Sequence, residues 1–275
     1  MCKLFSSVAI TLLALIAAKI TVIQNCVGTP KEKSILHAIT TGAGNYCDKQ
    51  LCNFGYKHVA CGHNGRFAAD CPSDAQLVDA KPYKDLFLKE VNSRRNQIAG
   101  SNLSGYESAK RMATMKWDKE LSYLASLNVK QCKMAHDKCH TTTKYMTPGQ
   151  NLYIYMASGS PGKNLGDIIS KAISAWWSEN KEGNMRLLKS INYNDPAYFK
   201  IGHFTVLATD DNNAMGCAVA SYSKNNFKYT LIACNFAKMH MPGNSVYEVG
   251  KPASGCRKGR NPQHKNLCSV KEVYN

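Results

Sequence analysis

The 275-residue sequence predicts an α+β fold, and three observations carry that prediction. Amphipathic helical stretches occupy its middle, period-two segments follow them, and cysteines crowd both ends. A hydrophobic content of 44% is ordinary for a globular chain and excludes wholesale disorder.

Met1–Gly28 reads as a secretory signal. Lys3 gives the basic start, Val8–Ala18 the apolar run, and Cys26-Val27-Gly28 a small-residue cleavage site. Lys19 interrupts the run before it reaches the roughly 18 residues of a membrane span. Cys2 and Cys26 leave with this segment, and the remaining even set fits disulfides formed in an oxidising, extracellular compartment. Residues 29–75 read as a polar leader and a cysteine-rich segment, where Cys47, Cys52, Cys61 and Cys71 sit among Gly55, Gly62 and Gly65. Such a stretch has little core and is expected to be stapled loops. It lacks the Cys-x-x-Cys half-site of structural zinc.

The first helical pattern follows Pro82 and aligns Tyr83, Phe87, Val91, Arg94 and Ile98 on one face. In the second, Asp118 caps a stripe of Leu121, Leu124, Ala125, Asn128 and Cys132. His136 and His140, four apart, could share a helical face, but Cys139-His140-Thr141-Thr142-Thr143 reads as a helix end. Cys139 between them reads instead as half of a disulfide, and nothing nearby offers the outer hydrogen bonds a metal-bound imidazole needs. The third pattern, Leu165, Ile168, Ile169, Ala172, Ile173 and Trp176, is the clearest, and its row ends on Glu179. His203–Thr209, Met215–Tyr222 and Phe227–Asn235 then read as strands, with Asp210–Asn213 turning between the first two. Cys217 and Cys234 fall on adjacent expected strands, where a bridge is geometrically natural. Residues 76–240 are therefore expected to form the main domain. Residues 241–275 form a basic, loop-rich tail in which Cys256 and Cys268 close a small knot.

Six blocks, in order, carry a resemblance to a known family. Leu88–Ala99 resembles the first-helix signature of the CAP superfamily of cysteine-rich secretory, antigen 5 and pathogenesis-related 1 proteins. Met115-Lys116-Trp117-Asp118, Gly149-Gln150-Asn151-Leu152, Ala175-Trp176-Trp177-Ser178-Glu179 and Gly202-His203-Phe204-Thr205 resemble its remaining blocks, as does Cys234-Asn235-Phe236. The amino-terminal cysteines and the closing Cys256 to Cys268 segment resemble the insect, particularly fly, antigen 5 branch. The resemblance implies a three-layer α-β-α sandwich with stapled extensions. It also implies bridges Cys47–Cys61, Cys52–Cys139, Cys71–Cys132 and Cys217–Cys234, which leaves Cys256 with Cys268.

Many members of that family gather two histidines and two acids around a cleft that takes a divalent cation. Carried over residue by residue, Glu179 and His203 hold two of those positions, while Val91 stands at the first-helix histidine position and Gln150 at the other acidic one. Valine has no lone pair, so a transition metal loses a ligand and acid–base chemistry loses its second titrating group. The cleft is expected to be degenerate, with no catalytic residue, no metal and no cofactor, and with His203 and Glu179 as a pair that orders it. No Gly-x-Ser-x-Gly elbow supplies another nucleophile.

Asn102-Leu103-Ser104 is a glycosylation sequon in a loop after the first helix. The net charge of +16 and the cluster Arg257, Lys258, Arg260 and Lys265 point to an anionic partner. Outside the cell that means a heparan-type polysaccharide, an anionic lipid or an acidic protein rather than nucleic acid, with a merely solubilising surface as the bland reading. Tyr153, Ile154, Tyr155 and Met156 suit either a lipid groove or a buried strand. The expectation is a secreted, non-enzymatic antigen 5-like protein that binds an extracellular protein or receptor, as a seminal or salivary factor. The alternatives are a lipid or sterol carrier and a weak metal-dependent hydrolase.

Overall fold

A computed structural model describes residues 45–158 and 163–274; the expected signal and the leader up to residue 44 lie outside them. In chain order its elements are β1 (Gln76–Val78), α1 (Lys84–Ala99), β2 (Lys116–Trp117), α2 (Lys119–Val129), β3 (Gly149–Ser158), α3 (Leu165–Ser178), α4 (Met185–Ser190), α5 (Gly202–Ala208), β4 (Ala214–Lys224) and β5 (Phe227–Phe236). The strands make one sheet in the order β1-β4-β5-β3, antiparallel throughout, and β2 adds a short parallel pairing to the start of β4.

Capping fixes where the helices begin. The Asp118 carboxylate accepts the Glu120 and Leu121 N–H groups at 2.9 and 3.1 Å, and Asn164 does the same for Asp167 at 3.0 Å. Ile168, Ile169, Ala172, Ile173 and Trp176 of α3 are buried as their spacing requires.

Period-two alternation sorts the sheet into two faces. Cys217 and Val219 of β4, with Ile232, Cys234 and Phe236 of β5, pack into one core with α1, α3 and α5. Ala218, Ala220, Tyr222, Leu231 and Ala233 face Ala125 and Val129 of α2. The result is three layers, with α2 alone on one side. That helix lies so close to β4 that a Cβ on Gly216 would meet the Ser122 nitrogen at 2.2 Å, so only glycine fits there.

The disulfides pair Cys47–Cys61, Cys52–Cys139, Cys71–Cys132, Cys217–Cys234 and Cys256–Cys268. The C-terminal tail packs into the body: Cys268 donates its N–H to Met112 O at 2.8 Å, and Arg111 pairs with buried Glu272 at 2.7 Å.

Three local expectations are corrected. Residues 203–209 are not a strand; 202–208 form α5, in which Phe204 to Ala208 are all buried. A short segment buried on every side carries no period, and its β-branched residues misled the reading. On α1 the inward guanidinium belongs to Arg95, fully buried, rather than Arg94, which pairs with Glu90 on the surface side and reaches Ser174. Helix α2 stops at Val129, so Cys132 lies beyond it at φ +52°, and His136 and His140 sit in a loop rather than on a helical face.

Candidate functional site

The inner row of α3 ends at Trp176, and Glu179 follows at the head of a 3-10 turn, aimed at the start of α5. There His203 Nδ1 donates to Glu179 Oε1 at 2.5 Å, and the Phe204 N–H donates to Oε2 at 3.1 Å. Both carboxylate oxygens are thus engaged in fixing α5. The Trp176 ring stacks on the imidazole at 6.2 Å, and its Nε1 donates to Leu152 O at 2.9 Å. Asn151 Nδ2 completes the frame by donating to His203 O at 3.2 Å. Only Nε2 of His203 is left for chemistry: the group is well held but solitary.

Gln150 precedes Asn151 on β3 and so turns to the opposite sheet face. Its Oε1 accepts His136 Nδ1 at 3.0 Å and the Asp137 N–H at 3.1 Å, while its Nε2 donates to Asp137 Oδ2 at 2.7 Å and Asn235 Oδ1 at 2.9 Å. An amide has two donors and two acceptor sites, and all four are used.

The four positions carried over from the sequence are therefore not one ligand set. Val91 is fully buried in the core, Gln150 is saturated by its own neighbours, and Glu179 and His203 bind each other. Among the described residues no three His, Cys, Asp or Glu side chains are placed to hold a metal ion, so the donor set does not fit one. His136 is the residue sequence reasoning misplaced. The signal for it was pairing demand, because a buried glutamine needs several partners and the adjacent His136-Asp137 supplies three contacts.

The other candidates lie apart. Asn102 is exposed beyond α1. Tyr153 and Tyr155 pack against one core and Ile154 against the other, as strand residues do. Arg257, Lys258, Arg260 and Lys265 are exposed on the tail. There Glu272 takes the Arg257 and Lys258 backbone N–H groups at 3.0 and 2.7 Å. Burial opposes the Glu272 charge, but those bonds and Arg111 outweigh it and hold its carboxyl below the ordinary range.

Residues 88–236 match the model of the CAP, cysteine-rich secretory protein, family. The chain is 41% identical over 193 residues to the antigen 5 like allergen Cul n 1 of Culicoides nubeculosus, covering 66% of this chain and 86% of that one. It is 36% identical over 247 residues to venom allergen-1 of Aedes aegypti, covering 87% and 94%. Among solved structures, that of NaASP2 with Zn2+ superposes with a TM-score of 0.54 at 25% identity, over 72% of this chain and 100% of that one. A shared family over most of the length, with the same layered fold, leads to one conclusion: the chain belongs to the CAP family, among antigen 5-like and venom allergen proteins of flies and mosquitoes.

Proposed function

We propose that this protein is secreted and works by binding an extracellular, negatively charged partner, without catalytic turnover. The observation that supports this most is that the His203–Glu179 pair stands without a second titrating partner: Val91 is sealed in the core, and Gln150, on the opposite sheet face, is an amide whose donors and acceptors are all engaged. His203 alone gives one titrating ring, already oriented by Glu179. The net positive charge, which stays strongly basic after Lys3 and Lys19 leave with the signal, and the exposed Arg257, Lys258, Arg260 and Lys265 supply the attraction. Five disulfides and relatives named as venom or antigen 5-like allergens suit an extracellular setting, and our reading of the protein is a salivary or seminal secretion.

The test is retention on immobilised heparin. The protein should be retained and should elute with moderate salt, and retention should weaken when Arg257, Lys258, Arg260 and Lys265 are changed to glutamine. A zinc titration addresses the competing reading, in which the NaASP2 structure's Zn2+ has a counterpart here. Tight stoichiometric zinc binding abolished by His203→Ala would overturn the non-catalytic, metal-free reading.

A further inference from the structure

A cavity of about 510 Å³ opens between the first half of α1, β2 and the C-terminal tail, away from His203 and Gln150. Lys84, Lys89 and Lys116 line it against a single carboxylate, Asp85. None of the three lysines enters an ion pair among the described residues. The polar floor is already satisfied. Asn92 brackets the Met115 backbone with bonds of 2.8 and 3.0 Å, and Thr114 Oγ1 donates to Cys268 O at 2.6 Å while accepting from Asn261 at 3.0 Å. What the cavity still offers a ligand is three ammonium groups, the half-buried ring of Trp117, and the Gln263 and His264 side chains, which enter no hydrogen bond among the described residues.

That set selects a chemistry. Unpaired ammonium groups spread around a rim want several anionic groups on one ligand, and an indole face suits the flat C–H face of a sugar ring. An acyl chain wants a closed apolar channel, whereas this cavity is rimmed by charge. We infer that the cavity is a subsite for a sulfated saccharide. A longer polyanion then continues onto the tail, because Gln263 and His264 of the cavity wall share the Cys256–Cys268 loop with Arg257, Lys258, Arg260 and Lys265. Glu272 pins the backbone of that loop, so the charges are presented on a fixed frame. This inference rests on the anionic-partner reading above and names its ligand and its place.

Calorimetric titration of the full protein with a heparin-derived tetrasaccharide tests it. The substitutions Lys84→Gln, Lys89→Gln and Lys116→Gln together should weaken tetrasaccharide binding about tenfold, with an unchanged melting curve because all three side chains are exposed. The arginine counterparts of the same three should retain binding, and the desulfated tetrasaccharide should fail to bind. Glutamines at Arg257, Lys258 and Arg260 should change the tetrasaccharide affinity less than about twofold while weakening retention on long heparin. Equal affinity of the cavity variant and the natural protein would overturn the subsite while leaving the anionic-partner reading standing. A natural protein that ignores heparin altogether would overturn that reading too. Competition by oleate, with no effect of sulfation, would show that the cavity takes an acyl chain and would overturn the saccharide assignment.

Discussion

Gln150 Nε2 donates to Asp137 Oδ2 at 2.7 Å, across a contact where an acid in place of the amide would face another acid. The geometry turns this into a prediction. Gln150→Glu removes the donors to Asp137 and Asn235 and sets two carboxylates together, so it should cost about 1–3 kcal/mol near neutral pH. One carboxyl of such a pair has its pKa raised, so part of the loss should return as pH falls to about 5. Urea denaturation at the two pH values checks this; a variant as stable as the natural protein at neutral pH would contradict the saturated-amide account.

Arg95 ties α1 to the end of α5. Its guanidinium is fully buried and gives four hydrogen bonds, to the carbonyls of Ala113, Leu207, Thr209 and Asp210 at 2.7–3.1 Å. Burial lowers its pKa to about 10, so it stays charged in neutral solution. The carbonyls at the C-terminal end of α5 carry the negative end of the helix dipole, which suits a cation. Arg95→Met keeps much of the volume but orphans these acceptors, and should cost about 3–5 kcal/mol. A thermal melt measures the loss.

Sequence periodicity reached the large elements and stopped at the small buried ones. The α3 stripe was legible because one face of that helix stays wet, and β4 and β5 because their two faces meet different cores. Helix α5 was not, since its apolar residues show no dry or wet side. Of the site, Glu179 was legible as the position that continues the α3 row, whereas its pairing with His203 was implied only by the family resemblance. The partnership of His136 with Gln150 was not, because it depends on a loop whose path is set by the Cys52–Cys139 bridge and not by any repeat. Position 91 read as a lost ligand, yet its side chain is sealed among apolar neighbours and does the ordinary work of a core valine.

An acid-sensitive element lies where the cysteine-rich segment packs on the loop that carries His136. His58 Nδ1 accepts the Ala60 N–H at 3.0 Å and Nε2 donates to Thr141 O at 2.8 Å, a pattern only the neutral ring satisfies. Burial lowers its pKa below 6.5, against the Thr141 bond and the Asp137 charge. His140 is lowered the same way, chiefly by burial, with neighbouring His58 and His136 adding to the effect and Asp137 opposing it. A depressed histidine pKa means the folded state prefers the neutral ring. The stabilisation is therefore complete above 6.5 and is lost as pH falls from there toward the folded-state values. Denaturation midpoints should drop between about pH 7.5 and 5, and His58→Gln should flatten that slope even though it lowers stability overall.

Two disulfides separate stability from binding. Cys52–Cys139 spans 87 residues and ties the cysteine-rich segment to the loop before β3, whereas Cys256–Cys268 spans 12 and closes only the tail. Chain entropy assigns about 4.6 kcal/mol to the longer bridge and about 3 kcal/mol to the shorter. Replacing both cysteines of each pair by alanine should therefore lower the urea midpoint more for Cys52 and Cys139. Heparin retention should respond in the opposite order, because the Cys256–Cys268 loop holds Arg257, Lys258, Arg260 and Lys265 beside the cavity. If loss of the tail bridge left retention unchanged at a temperature where the protein stays folded, the fixed frame of those charges would be irrelevant to binding.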